Sequence, residues 1–231
     1  MREAVVAGDD GGFTEQSVRA AAERAYREGR ADLPLAAGRA ALLVIDMQQE
    51  FVRPGWSPYW VPEATRIVPV VADLIEGCRA AGVPVIYTVF AETHHRLDRP
   101  RGLDWMPNHA PEWVPPPEAA EVWAPLAPRP DEVVIRKPSY GAFYDTPLDT
   151  ILRRLERDIV ILAGTLTNFC VGTTARQGYE RGYFVVVAED ATATDMPAMH
   201  DAELATLKKG FALVSPARRI VERLDASTET A

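Results

Sequence analysis

The run Ala40-Ala-Leu-Leu-Val-Ile-Asp46 constrains this chain more than any other stretch, because unbroken apolarity ends abruptly on a carboxylate. A strand with one wet face alternates apolar and polar side chains. Continuous apolarity requires cover on both faces, as in a parallel sheet lying between helices. The same pattern recurs downstream. Strands are predicted at 83–90, 132–136, 158–163, 183–188 and 211–214, and helices at 63–81, after Thr146, near 170–181 and near 198–209. Ile67, Val71, Leu74, Ile75 and Cys78 form the inner stripe of the first helix, which Gly82 closes. Thr146 caps the second, with Pro147 in its first turn and Leu148, Ile151, Leu152 and Leu155 facing inward. Six strands alternating with helices imply an α/β fold, a three-layer α-β-α sandwich around a mostly parallel six-stranded sheet.

Two regions depart from this rhythm. Residues 1–12 read as a flexible lead, and residues 13–29 place Val18, Ala21, Ala22, Ala25 and Tyr26 on one helical stripe ending at Gly29. That helix is expected to pack on the domain or on a neighbouring subunit, so 1–35 forms an N-terminal extension and 36–231 a single domain. Residues 91–130 hold Trp105, Trp113, Trp123 and three of the four histidines with no core periodicity. They read as a long excursion rather than a second domain, and long loops on compact α/β domains are often functional.

Composition excludes several classes. The formal net charge of −8, with no basic stripe, argues against a nucleic-acid partner. No apolar run approaches the roughly 18–20 residues of a membrane span. The N-terminus has no basic region leading into an apolar stretch, and Cys78 and Cys170 are too far apart for a redox or zinc motif. These features point to a cytoplasmic protein whose functional cysteine is reactive rather than bridged.

Ligands of such sheets bind beyond the carboxyl ends of the strands. The first strand stops at Asp46, that at 132–136 stops at Lys137, and that at 158–163 reaches Cys170 through Gly164-Thr-Leu-Thr-Asn-Phe169. A carboxylate, an ammonium and a thiol are thus predicted to meet on one sheet edge. Taken singly each has an ordinary reading, since lone cysteines are commonly small core residues and strand ends commonly carry charge. Cys78, on an apolar helical stripe, keeps that core reading. Together the three are chemically coherent. A thiolate is the attacking species, and a helix N-terminus at Cys170 together with the Lys137 cation would favour it. Asp46 would take the thiol proton and return it to a leaving amine, while backbone N–H groups in the turn before Cys170 bind the oxyanion.

The stretches Leu42-Leu-Val-Ile-Asp-Met-Gln48, Lys137-Pro-Ser-Tyr-Gly-Ala-Phe143, Gly164-Thr-Leu-Thr-Asn-Phe-Cys-Val171 and Glu189-Asp-Ala-Thr192 resemble the isochorismatase-like cysteine hydrolase family. That group includes nicotinamidases, N-carbamoylsarcosine amidohydrolases and ureidoacrylate amidohydrolases. The likeness spans residues 40–214 and is nearest to the ureidoacrylate enzymes over 137–152. It implies a Rossmann-like hydrolase fold, an Asp46, Lys137, Cys170 triad and a covalent thioester intermediate resolved by water. It further implies a cis peptide at Thr165-Leu166 that aims the N–H groups of Leu166 and Cys170 at the oxyanion. The expected activity is hydrolysis of a linear C–N bond in a small ureide, carbamoyl compound or amide, without a cofactor, in a homo-oligomer (dimer or tetramer). A nicotinamidase-type amidase is an alternative, as is a non-catalytic binding subunit on the same fold. Isochorismatases, which cleave a vinyl ether, lack the cysteine.

Candidate pocket residues are Phe51 and Trp56 past the first strand, His94 and His95 in the excursion, Tyr140, Phe143 and Tyr144 after Lys137, and Asn168 before Cys170. Asn168 also reads as a turn residue bonding to backbone. No metal is expected. The zinc-binding relatives use an Asp-x-His pair that this chain lacks, and adjacent His94 and His95, with His109, are poorly spaced as ligands. His200 reads as a helix-terminus residue.

Overall fold

The structure, a computed structural model, describes residues 12–29, 31–106 and 110–228. Most of the expected lead, and His109, lie outside the described residues. Six strands, β1 (Ala40–Ile45), β2 (Val85–Phe90), β3 (Val133–Lys137), β4 (Ile159–Thr165), β5 (Phe184–Ala193) and β6 (Ala212–Ser215), form one sheet in the order β3-β2-β1-β4-β5-β6. Every pairing is parallel. All six residues of β1 are buried, because alternate side chains enter two separate cores. Ala40, Leu42 and Val44 pack with Val71, Leu74, Ile75 and Cys78 of α4 (Val68–Ala80) and with Ile220 and Leu224 of α8 (Ala217–Thr228). Ala41, Leu43 and Ile45 pack with Leu148 and Leu152 of α5 (Leu148–Arg154), Val171 and Ala175 beside α6 (Gly172–Glu180), and Leu204 and Leu207 of α7 (Pro197–Gly210). The layers are therefore helix, sheet, helix.

Several local details differ from the sequence reading. The helix expected over 63–81 is broken into α3 (Pro62–Arg66) and α4 around Ile67. Pro69 brings no N–H to an unbroken helix and its ring crowds the carbonyl four residues earlier. A short α2 (Gln49–Val52) follows β1. The cap before α5 shifts by one, with the Leu148 N–H donating to the Thr146 hydroxyl at 3.3 Å. β5 runs on to Ala193, since after an irregularity Thr192 and Ala193 pair with Gly164 and Thr165. The helix α8 was not foreseen, although Ile220 and Leu224, one helical turn apart after Pro216, carry its inner stripe. The N-terminal helix α1 (Glu15–Glu28) is capped by Thr14, whose hydroxyl accepts from the Ser17 N–H. It lies on α7, where Lys209 Nζ sits 3.9 Å from the Tyr26 ring centre. Across the 91–130 excursion the described residues form only short 3-10 turns and one bridge, Gln48 to Val122. Ala110, Ala119 and Leu126 nevertheless bury themselves against the domain.

Among the described residues no helix is long and apolar enough to cross a membrane.

Candidate active site

In the order β3-β2-β1-β4-β5-β6 the sheet grows one way from β1 and the opposite way from β4. The connections after these two neighbours diverge and leave a crevice at their carboxyl ends. Asp46 and the Cys170 turn both stand there. β4 can run close beside β1 because residue 164 is glycine. Its φ is +118°, and a Cβ there would lie 2.0 Å from the Ile45 carbonyl oxygen. The Thr165–Leu166 peptide that follows is cis. A π-helical turn, Thr167–Val171, then carries Cys170 into α6.

Asp46 and Lys137 are fully buried and form an ion pair, with Lys137 Nζ 2.7 Å from Oδ2. Strand register accounts for this meeting. Ile45 pairs with Thr88 on β2, and Phe90 on β2 pairs with Lys137 on β3. The Thr88 hydroxyl donates to Asp46 Oδ1 at 2.9 Å, and the Asp46 N–H donates to the Thr88 carbonyl at 3.0 Å. Lys137 Nζ also donates to the Ser139 carbonyl at 2.9 Å. Oδ2 of Asp46 has the ammonium close by but no hydrogen bond aligned on it, which leaves a lone pair for a proton. Cys170, 7% exposed, reaches both Asp46 and Lys137.

Burial, reinforced by the Asp46 charge, pushes the Cys170 thiol up to about 12 despite the Lys137 cation. In the free protein the ammonium is engaged by the carboxylate, so the resting site holds a neutral thiol beside an ion pair. Burial alone would drag Lys137 down, but Asp46 and then Cys170 hold it above the ordinary lysine value.

The turn is braced from several sides. The Thr167 hydroxyl lies 2.8 Å from His200 Nδ1, and the Thr194 hydroxyl donates to Asn168 Oδ1 at 2.6 Å. The Thr174 hydroxyl donates to the Cys170 carbonyl at 2.6 Å and accepts from the Ala142 N–H at 2.9 Å, tying the Cys170 turn to the loop after Lys137. Asn168 thus bonds a side chain, not the backbone as expected. His200 stands in the first turn of α7, as its sequence suggested, and is an unforeseen partner of the turn.

Of the predicted pocket residues, Tyr140 lies near Cys170 and Lys137. It stacks on Phe90 (centroids 6.2 Å apart, planes 17°) and leans on Phe169 at 5.3 Å. Phe143 is buried in the core against Tyr183, not in the pocket, because the chain turns inward to begin α5. Tyr144 is exposed. Phe51 packs against the core, and Trp56 meets Trp113 edge to face at 5.8 Å. His94 and His95 are exposed, since His94, His95 and Arg96 all adopt positive φ and swing the segment outward. His94 pairs there with Asp98. Among the described residues no group of three His, Cys, Asp or Glu side chains is arranged to hold a metal ion.

The sequence reading missed Thr88, Phe90, Phe169 and Gln48. Gln48 pins the excursion to β2 through its side-chain bonds to both main-chain groups of Phe90 (2.8 and 3.0 Å) and to the Ala119 carbonyl (3.2 Å). Thr88, the one aliphatic hydroxyl within an apolar strand, was the one legible signal.

The fold and site define a doubly wound α/β hydrolase with a buried carboxylate–ammonium–thiol cluster at its switch point. Residues 40–218 match the family model described as "Isochorismatase domain", and the chain belongs to the isochorismatase family. It is 35% identical over 166 residues to the "Secreted isochorismatase effector Isc1" of Verticillium dahliae, covering 71% of this chain and 78% of that protein. It is 31% identical over 193 residues to the "Ureidoacrylate amidohydrolase RutB" of Methylobacterium radiotolerans, covering 75% of each. A solved structure titled as a cysteine hydrolase from Pseudomonas syringae pv. phaseolicola superposes with a TM-score of 0.77 at 31% identity, covering 85% of this chain and 97% of that one.

Proposed function

We propose that the protein is a cysteine-dependent amidohydrolase of small ureides, carbamoyl compounds or amides. The observation that carries this reading is the buried Cys170 thiol set against the Asp46–Lys137 ion pair. As the substrate carbonyl arrives, the thiol proton passes to Asp46 and the S–C bond forms. Lys137, released from a now neutral carboxyl group, balances the negative charge that has moved onto sulfur and then onto oxygen. N–H groups at Leu166 and Cys170 are the proposed donors to that oxyanion. The tetrahedral species collapses with C–N cleavage, and the proton on Asp46 leaves with the amine or ammonia. Water then attacks the thioester, giving a proton to Asp46, and C–S cleavage returns the thiol. Phe90, Tyr140 and Phe169 provide an aromatic wall for a small planar substrate.

Relatives named for ureidoacrylate hydrolysis and for cysteine hydrolysis support this reading. The relative named an isochorismatase points to ether cleavage, which needs no thiol; Cys170 favours the amide. The test is ammonia release from ureides, carbamoyl compounds and primary amides, comparing the wild type with Cys170→Ala. Cysteine-dependent release is expected. Equal release by both proteins, or none by either, would overturn the assignment.

A further inference from the structure

Arg99 belongs to the excursion yet stands beside the reacting groups. Its guanidinium carbon lies 5.1 Å from the Phe90 ring centre, and Lys137 Nζ lies 5.2 Å from the same centre. Phe90 stacks in turn on Tyr140, which leans on Phe169 next to Cys170. Arg99 therefore flanks the same aromatic wall as the proposed nucleophile. Its charge is felt by Tyr140, together with those of Cys170 and Lys137, and by Glu50, together with that of Asp46. A second observation is independent of this geometry. The chain as a whole carries −8, yet residues 94–101 contain Arg96, Arg99 and Arg101 with Asp98 as the one carboxylate. Asp98 is turned inward, accepting from the Thr93 hydroxyl at 2.6 Å and pairing with His94 at 2.8 Å. Arg96 and Arg101 remain exposed. With the exposed Glu92 counted, residues 91–101 carry three arginines against two carboxylates, one of them turned inward, a mildly basic stretch on an acidic protein that can attract and orient anions.

We propose that Arg99 is a specificity-determining residue that binds a carboxylate on the substrate, so that the protein selects anionic ureides and amides over neutral ones. The inference rests on the amidohydrolase reading and adds the charge of the substrate to it. A planar guanidinium with five N–H donors can hold a carboxylate bidentately while still serving a protein neighbour. Glu50, half-buried and next to Asp46, supplies the opposite charge on the same side and suits the N–H donors of a ureide. A molecule with N–H groups at the scissile end and a carboxylate at the other would match both.

The experiment uses matched probes, succinamate with butyramide and 3-ureidopropionate with propylurea. Binding of each is measured by calorimetry to Cys170→Ala, alone and combined with Arg99→Gln or Arg99→Glu. Hydrolysis of each is measured in the proteins that retain the cysteine. The anionic member of each pair is expected to bind about tenfold or more tightly than its neutral twin, with the preference lost in Arg99→Gln and inverted in Arg99→Glu. In the active series the change is expected in KM rather than kcat. Equal binding within both pairs, or a preference that survives Arg99→Glu, would overturn the inference. If no probe is hydrolysed but anion binding still depends on Arg99, the inference stands and the amidohydrolase reading falls.

Discussion

Replacing Asp46 by Asn is expected to make the Cys170 thiol more acidic while making the enzyme slower. The thiol stands at about 12 because it is buried and because the Asp46 charge opposes a second negative charge beside it. Asn keeps the shape and can still accept from Thr88, but it removes that charge and frees Lys137 to pair with sulfur. A unit charge at about 4 Å, with an effective dielectric constant near 20, is worth about 4 kcal/mol, or roughly three pKa units. The thiol would then titrate at about 9. At pH 7.5 the thiolate fraction would rise about 1000-fold, while the lower basicity of that thiolate takes back about 20-fold in nucleophilicity. Alkylation by iodoacetamide is therefore expected to accelerate about 50-fold, with the 240 nm thiolate absorbance appearing at correspondingly lower pH. Hydrolysis is expected to fall by about 100-fold or more, because the proposed proton acceptor and donor is gone. Lys137→Met should shift alkylation the opposite way. If Asp46→Asn alkylates more slowly than the wild type, the carboxylate activates the thiol in the free enzyme, and the neutral-thiol resting state is wrong.

Lys137→Met leaves the buried Asp46 carboxylate without its cation, so a loss of roughly 3–5 kcal/mol is expected in urea unfolding at neutral pH. Most of it should return in the double variant Asp46→Asn, Lys137→Met, and additive losses in the pair would argue against the ion pair. Gly164→Ala is expected to prevent folding of the β1–β4 edge, because the new methyl would meet the Ile45 carbonyl and the φ of +118° disfavours any side chain; soluble, cooperatively unfolding protein from this variant would contradict it. Burial lowers His200 below the ordinary histidine value. Its contribution to stability is thus present above about pH 6.5 and is lost as pH falls through the lower folded value. His200→Gln should flatten that decline in thermal midpoint below about pH 6.5, and an unchanged slope would place the titration elsewhere.

Much of this protein is legible in one dimension. Unbroken apolar strands such as 40–45 announce a doubly covered parallel sheet, because only two-sided burial rewards that pattern. Function then collects where such strands stop, which is why Asp46, Lys137 and Cys170 could be singled out before their neighbours were known. What remained hidden depends on register and burial. Thr88 binds Asp46 because β1 and β2 pair with Ile45 opposite Thr88. Phe90 stands beside Lys137 because β2 and β3 pair at these two residues, and Gln48 ties that end of β2 to Ala119 of the excursion. His94 and His95, the more conspicuous residues of that excursion, turn outward on left-handed backbone that no periodicity encodes. The state of the Cys170 sulfur is the clearest case. Residue type and motif name Cys170, but whether its sulfur rests as thiol or thiolate is a balance of desolvation against two opposite charges, and that balance exists only once the chain has brought all three together.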